Sequence, residues 1–186
     1  GMNAGGAKNF AGTFAPPFAV IDDFDFLKTL PPHEWIGGVA EAFKVAIIKD
    51  KPFFSYLCKH AADLRARDQA VMEKVVHKTA ALHLGHIAAS GDPFEFGSAR
   101  PRDFGHWAAH RLELMSNFTL GHGPAVAIGI ALDSTYAMLK KLIAPAERDA
   151  IVQGLADCGL PVWAPLLDRA DAQGEPDVLA GLEQFR

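Results

Sequence analysis

The sequence predicts a mainly α-helical, bundle-like domain with one short strand near its N-terminus. Apolar residues recur every three or four positions along most of the chain, as they do on the buried face of a helix. Proline and glycine clusters interrupt this pattern where helices would be expected to end. One segment, residues 18–21, has the short, partly β-branched character of a strand. Because 186 residues is about the size of one ordinary domain, we expect residues 1–186 to form a single helical unit.

The N-terminal part of the chain carries the weakest helical pattern. Residues 3–13 are rich in glycine and predict a loop, whereas residues 18–21, bounded by a proline and an aspartate, predict the strand. The first strong helical signal follows Pro32. Apolar residues between positions 36 and 48 fall at helical intervals, and a proline at an early position suits the start of a helix.

The rest of the chain predicts a series of helices separated by short breaks. Pro52 ends the first helix, and residues 52–65 predict a second. A longer periodic segment over 67–89 predicts a third, which Ser-Gly-Asp-Pro at 90–93 ends before an irregular loop over 94–103. Further helices are predicted at 104–117, 123–142, 145–157 and 175–185, with breaks at 159–161 and 172–174.

Composition excludes several classes of function. Hydrophobic residues make up 49% of the chain, which is typical of a globular domain with a substantial core. The net charge is −4 and the lysines and arginines are scattered, so no basic surface for nucleic acid or anionic membranes is expected. The apolar runs are shorter than the roughly 18 residues that a membrane helix requires. Cys58 and Cys158 match no metal or redox spacing and are expected to be reduced thiols, which suits a cytoplasmic protein.

Three histidines in one short region indicate a metal site. His106 and His110 are four residues apart on a predicted helix and therefore share a face. His122 follows between two glycines, which allow close approach of backbone and ligands. Imidazole is a common ligand of zinc and similar metals, and a catalytic site usually has three protein ligands and one open position.

Glu41 could supply the third ligand to His106 and His122. It lies on a largely apolar helix, where a carboxylate needs a cation nearby. Lys44, three residues later, offers an ordinary ion pair instead, and the spacing by itself favours that pair. His83 and His86 also share a helix face, but no acidic residue accompanies them on that turn, so a structural or solvent-facing role is expected.

Five motifs resemble, in order, those of 3-dehydroquinate synthase in the sugar phosphate cyclase family. They are KNFAGTF at 8–14, DFLKTLP at 25–31, GVAEAFK at 38–44, DFGHWAAH at 103–110 and HGPAVAIG at 122–129. The family combines an N-terminal α/β half that binds NAD with a C-terminal helical half that carries metal and substrate groups. This chain resembles the helical half, so the resemblance implies that the NAD-binding domain is absent from it, as in a fragment or a split gene product.

The resemblance implies a role for each matching residue. Glu41, His106 and His122 fall on the metal ligands, for zinc or cobalt, which favours them over the simple Glu41–Lys44 pair. Substrate-contacting positions fall on Lys44, His110 and Asn9, with Glu95 and Asp103 lining the same cleft. The positions that touch NAD fall on Lys8, Phe26, Leu27, Lys28 and Thr29.

The implied activity is that of a carbon–oxygen lyase. Such an enzyme uses a metal and NAD to convert a phosphorylated keto sugar into a carbocycle with elimination of phosphate. We expect this chain to be inactive without a nucleotide-binding half, and to form a homodimer or to associate with such a half. Pro124 stands where the family has glutamate, and Asp103 where it has asparagine, which indicates a divergent cyclase acting on another sugar phosphate.

Two alternatives remain at this point. An iron- or zinc-dependent alcohol dehydrogenase has a similar two-domain design, although its ligand set resembles one aspartate and three histidines. A non-catalytic helical module that binds metal or forms dimers is the second alternative.

Overall fold

Eight α-helices make up most of the part that the computed structural model describes, which is residues 2–4, 7–12, 18–90 and 103–184. The helices are α1 Pro32–Lys49, α2 Lys51–Lys59, α3 Ala61–Arg65, α4 Gln69–Ser90, α5 His106–Met115, α6 His122–Leu139, α7 Pro145–Asp157 and α8 Ala180–Gln184. These helices confirm the predicted mainly α-helical fold. The predicted helix at 52–65 is divided at His60 into α2 and α3, and the loop predicted at 94–103 lies outside the described residues except for residue 103. Among the described residues, no helix is both long and apolar enough to span a membrane.

The strand predicted at residues 18–21 is wrong. These residues form no regular structure, and Phe18, Val20 and Ile21 are largely exposed. Two strands lie earlier instead, where a loop was predicted: β1 (Met2–Ala4) and β2 (Ala7–Ala11) pair as an antiparallel hairpin. A preference for strand structure mostly reflects packing and backbone pairing, and residues 18–21 have neither here.

The core is built around α6. Residues 125–131 of this helix are buried on every side, and α6 packs against α1, α5 and α7. Three side chains from the neighbouring helices are completely buried in the same core: Phe43 of α1, Leu112 of α5 and Leu155 of α7. Each such side chain stabilises the fold by about 1.5–3 kcal/mol relative to exposure. Because residues 125–131 are apolar on every side of the helix, this part of α6 packs against several helices at once.

Two glycine contacts bring α1 and α5 unusually close to α6. A Cβ atom added to Gly123 would lie only 2.5 Å from the carbonyl oxygen of Gly37 in α1. A Cβ added to Gly129 would overlap the carbonyl oxygen of Gly105, the residue just before α5. Backbone therefore touches backbone at both crossings, which is possible because glycine has no side chain. Both crossings lie beside the residues that form the site described next.

Candidate metal centre

Glu41, His106 and His122 converge on one point. The Oε1 atom of Glu41 lies 3.1 Å from Nε2 of His106 and 3.2 Å from Nε2 of His122. Zinc ligands bind at about 2.0–2.1 Å, so tetrahedral geometry places ligand atoms about 3.3 Å from one another. The observed spacings match that value. The three side chains are thus arranged as a zinc site with two imidazoles and one carboxylate requires.

The fold brings the three side chains together from distant parts of the chain. Glu41 lies one turn after Gly37 on α1, while His106 and His122 are the first residues of α5 and α6. The backbone contact between Gly37 and Gly123 sets the distance between Glu41 and His122. The site therefore forms where three helices approach most closely.

Each imidazole is oriented by a hydrogen bond at its other nitrogen. Nδ1 of His106 lies 3.3 Å from the carbonyl oxygen of Phe104, so Nδ1 carries the proton and donates it there. Nδ1 of His122 lies 3.1 Å from Oε2 of Glu113. In both rings Nε2 faces Glu41, where it donates to the carboxylate in the metal-free protein and would offer its lone pair once a cation displaces that proton. Metal-binding histidines characteristically donate their second N–H to a carbonyl or a carboxylate in this way.

Glu113 is a site residue that the sequence analysis missed. It is buried on α5 at 7% exposure, nine positions before its partner His122. The local signal was its place on α5, where it shares a helix face with His106 and His110, but this spacing does not reveal that its partner is His122. At position 124 this chain has a proline in place of the glutamate expected from the family motif. Glu113 supplies a carboxylate beside His122 instead.

The carboxylate of Glu41 contacts Lys44 as well as the two histidines. The Nζ atom of Lys44 lies 2.6 Å from Oε2 of Glu41 and 3.3 Å from Nε2 of His106. The ion pair and the convergence of ligands therefore occur together, each using a different oxygen of one carboxylate. Burial tends to raise the pKa of Glu41, but hydrogen bonds from His106 and His122 and the charge of Lys44 outweigh it, so the pKa lies well below its ordinary value. Glu41 is accordingly ionised and ready to bind a cation at neutral pH.

His110 lies at the edge of the same cluster. Its ring centroid is 5.7 Å from that of His106 and 5.9 Å from that of His122. His110, Glu113 and His122 also have ligand atoms within 4.8 Å of one another. The orienting bond from His122 to Glu113 accounts for that second grouping, and His110 lies beside both histidines.

The other predicted site residues fall into three groups. The segment Phe24–Thr29 forms a 3₁₀-helix in which Lys28 pairs with Asp25 at 2.5 Å. Within the described part of the chain, no hydrogen bond or ion pair joins Asp103 to the cluster. Glu95 lies outside the described residues, and so do the side chains of Lys8 and Asn9 on β2.

A cavity of about 470 Å³ lies between α1 and α4. Its lining includes Leu27 and Leu30 as well as Glu41 and Lys44. His83 of α4 also lines this cavity. His86 lies farther along the same helix, where its Nδ1 is 3.4 Å from Nζ of Lys49. One predicted NAD-contacting residue, Leu27, and one predicted metal ligand, Glu41, thus line the same cavity.

Residues 38–175 match the family described as 3-dehydroquinate synthase C-terminal. The chain is 35% identical over 160 residues to the 3-dehydroquinate synthase of Dehalococcoides mccartyi, covering 86% of this chain and 44% of that protein. It is 32% identical over 181 residues to the 2-epi-valiolone synthase of Actinosynnema mirum, covering 97% of this chain and 46% of that protein.

A solved structure has the same fold. It is ValA, a 2-epi-5-epi-valiolone synthase from Streptomyces hygroscopicus subsp. jinggangensis with NAD⁺ and Zn²⁺ bound. The TM-score is 0.85 and the identity 28%, and the match covers 99% of this chain and 49% of ValA. The chain thus spans about half the length of the relatives that it matches.

Proposed function

The chain belongs to the 3-dehydroquinate synthase C-terminal family, and from this premise we propose that it is the metal- and substrate-binding part of an NAD- and metal-dependent sugar phosphate cyclase. The observation that carries this proposal is the spacing of Glu41, His106 and His122. That spacing fits zinc or cobalt, and the three ligands leave a fourth position for substrate. The Zn²⁺ and NAD⁺ bound to ValA support the same cofactors here.

The roles of the three ligands follow from their contacts. Oε1 of Glu41 and the two Nε2 atoms would hold the cation, while Phe104 and Glu113 keep both imidazoles in the required tautomer. A bound divalent metal would polarise a substrate hydroxyl and lower its pKa. The negative charge of Glu41 offsets part of the metal charge. Two neutral imidazoles and one carboxylate therefore leave the site cationic and attractive to an anionic sugar phosphate.

Lys44 and His110 would contact the substrate beside the metal. The ammonium group of Lys44 is buried against Glu41, and a phosphate or carboxylate in the cavity would find it already oriented. The imidazole of His110 lies close enough to the two histidine ligands to receive or return a proton from a hydroxyl bound between them. We also assign Asn9, Asp103 and Glu95 to the substrate cleft, on the strength of the family motifs.

NAD would approach through the cavity between α1 and α4. Bound NAD would supply reversible hydride transfer at a ring carbon, which acidifies the neighbouring C–H and permits loss of phosphate. Leu27 and Leu30 offer apolar surface in this cavity, which Glu41 and Lys44 also line. On the strength of the same family motifs, we assign four further residues to the NAD-contacting side of the site: Lys8, Phe26, Lys28 and Thr29.

The relatives are about twice as long as this chain, and we propose that a nucleotide-binding half completes the site. That half would belong to the same polypeptide or to a separate chain, and the alternative association is a homodimer of this chain. The substrate class we propose is a phosphorylated keto sugar, and Pro124 and Asp103 favour a substrate that differs from that of 3-dehydroquinate synthase. The scattered charges and the two thiols support a cytoplasmic location.

Elemental analysis of the purified chain tests the metal assignment. We expect about one equivalent of zinc or cobalt in the wild type and little in His106→Ala or His122→Ala. His83→Ala is the matched control, since this histidine lines the same cavity without belonging to the ligand set, and it should retain the metal. Retention of metal by both ligand variants would refute the assignment.

Phosphate release tests the activity. The chain is assayed with NAD, zinc and phosphorylated keto sugars, first alone and then with the nucleotide-binding half of a relative. We expect release only in the second case. Metal binding without release from any sugar phosphate would favour the non-catalytic module, whereas oxidation of a simple alcohol with net production of NADH would favour the dehydrogenase alternative.

A further inference from the structure

We propose that Asp133 is a positioning residue of the metal centre, because its carboxylate binds the residues on both sides of His106. Oδ2 of Asp133 accepts a hydrogen bond of 2.6 Å from the backbone N–H of Gly105. Oδ1 accepts one of 2.8 Å from the indole N–H of Trp107. One side chain of α6 thus holds positions 105 and 107, and His106 lies between them. This inference rests on the proposed metal site.

The start of α5 needs such support from another helix. Gly105 has φ of +75°, in the left-handed region, and no side chain of α5 forms a capping hydrogen bond at its N-terminus. Gly105 is also pressed against α6 at Gly129. Asp133 lies one turn beyond Gly129 on α6, so it reaches the turn from the same face. A carboxylate at a helix N-terminus is further stabilised by the helix dipole.

The geometry of His106 depends on this turn. Its Nδ1 donates to the carbonyl oxygen of Phe104, and its Nε2 lies 3.1 Å from Glu41. Both contacts require the backbone of residues 104–107 to keep its position relative to α1. The hydrogen bonds to Asp133 anchor that backbone to α6, which also carries His122. Asp133 therefore links the position of one ligand to that of another without touching a metal itself.

Asp133 is partly buried and is not simply a solvent-facing side chain. It lines a cavity with Trp107, Leu132 and Tyr136. Burial raises the pKa of Asp133, and the hydrogen bonds from Gly105 and Trp107 offset only part of that effect. A carboxylate is thus held where its charge is disfavoured, with both of its oxygens occupied by the turn that carries His106.

Cobalt binding tests this role. Asp133→Ala and the wild type are titrated with Co²⁺, and the visible absorption of bound cobalt reports the ligand geometry. We expect the variant to bind about 10- to 100-fold more weakly, as is usual when a group that orients a metal ligand is removed, and its absorption bands to change shape. Asp68→Ala is the matched control. Asp68 also accepts a backbone N–H near a helix start, from Val71 at 2.9 Å, but it directly precedes α4 and makes no contact with His106 or its turn that the hydrogen bonds of the described residues show.

The control separates positioning from general stability. Asp68→Ala should lower the melting temperature while cobalt affinity and spectrum stay as in the wild type. Unchanged affinity and spectrum in Asp133→Ala would overturn the proposal. Should Asp133→Ala fail to fold, Asp133→Asn and Trp107→Phe each remove the indole bond while leaving an acceptor for Gly105. Both are expected to weaken cobalt binding, and wild-type binding in both would count equally against the proposal.

A metal-free measurement distinguishes failure of this inference from failure of the proposed function. Long-range ¹H–¹⁵N NMR of the metal-free protein reports which imidazole nitrogen of His106 carries the proton. We expect Nδ1 of His106 to carry a proton in the wild type, because it faces the carbonyl oxygen of Phe104, and to lose that proton in part of the Asp133→Ala molecules. If the wild type binds no cobalt, the proposed metal site fails, and this NMR comparison still decides whether Asp133 orients His106.

Discussion

Gly123→Ala tests whether the close crossing of α1 and α6 builds the metal centre. The added Cβ would lie 2.5 Å from the carbonyl oxygen of Gly37 and 2.6 Å from its carbonyl carbon. Contacts this short do not occur between real atoms, and both partners are backbone that cannot rotate away. The two helices must therefore separate by about 1 Å, because packed interiors leave no room for the extra atom.

Two effects on stability oppose each other in this variant. Replacing glycine by alanine inside a helix favours folding by about 1 kcal/mol. Overpacking costs about 1–3 kcal/mol, and rigid backbone on both sides places this case near the upper end. We expect a net loss of about 1–2 kcal/mol in the free energy of unfolding. The same separation moves Glu41 away from His122, and a functional site tolerates only about 0.5 Å of displacement, so zinc affinity should fall at least tenfold.

Urea unfolding and zinc titration measure the two effects. Gly38→Ala is the matched control, since it lies next to Gly37 on α1 but a Cβ there meets nothing within 4 Å. It should stabilise the protein by about 1 kcal/mol and leave zinc affinity unchanged. If Gly123→Ala gained stability like the control and kept wild-type zinc affinity, the argument from backbone contact would be refuted.

Two further predictions concern buried groups. Glu113→Gln should reduce zinc affinity about tenfold while folding is retained, because the amide keeps the shape but loses the charge that orients His122; titration of both proteins with zinc checks this. Burial raises the pKa of Cys158 to about 12, so almost no thiolate forms at pH 8.5, and mass spectrometry after alkylation should find Cys158 unmodified in the folded protein. Cys58, whose thiol is partly exposed, should be alkylated slowly, and rapid modification of Cys158 in folded protein would contradict the described burial.

Most of the helical fold could be predicted because its signals are local. The period of apolar residues predicts α1 and α4, and prolines near the starts of α1, α2 and α7 mark helix boundaries correctly. The strand prediction at 18–21 failed because strand formation needs a partner, and composition alone does not say where a partner lies. The hairpin of β1 and β2 was missed for the same reason, since glycine-rich sequence resembles a loop.

The sequence by itself determined which residue types are available for a metal and, through its motifs, predicted which three are the ligands. The tertiary structure decided that Glu41 serves both Lys44 and the histidines, since each oxygen of one carboxylate can take a different partner. It alone revealed Glu113 and Asp133, whose partners lie 9 and 26–28 positions away in the chain. Their roles depend on how closely three helices cross, and that distance is set by glycine contacts between helices rather than by the pattern within any one of them.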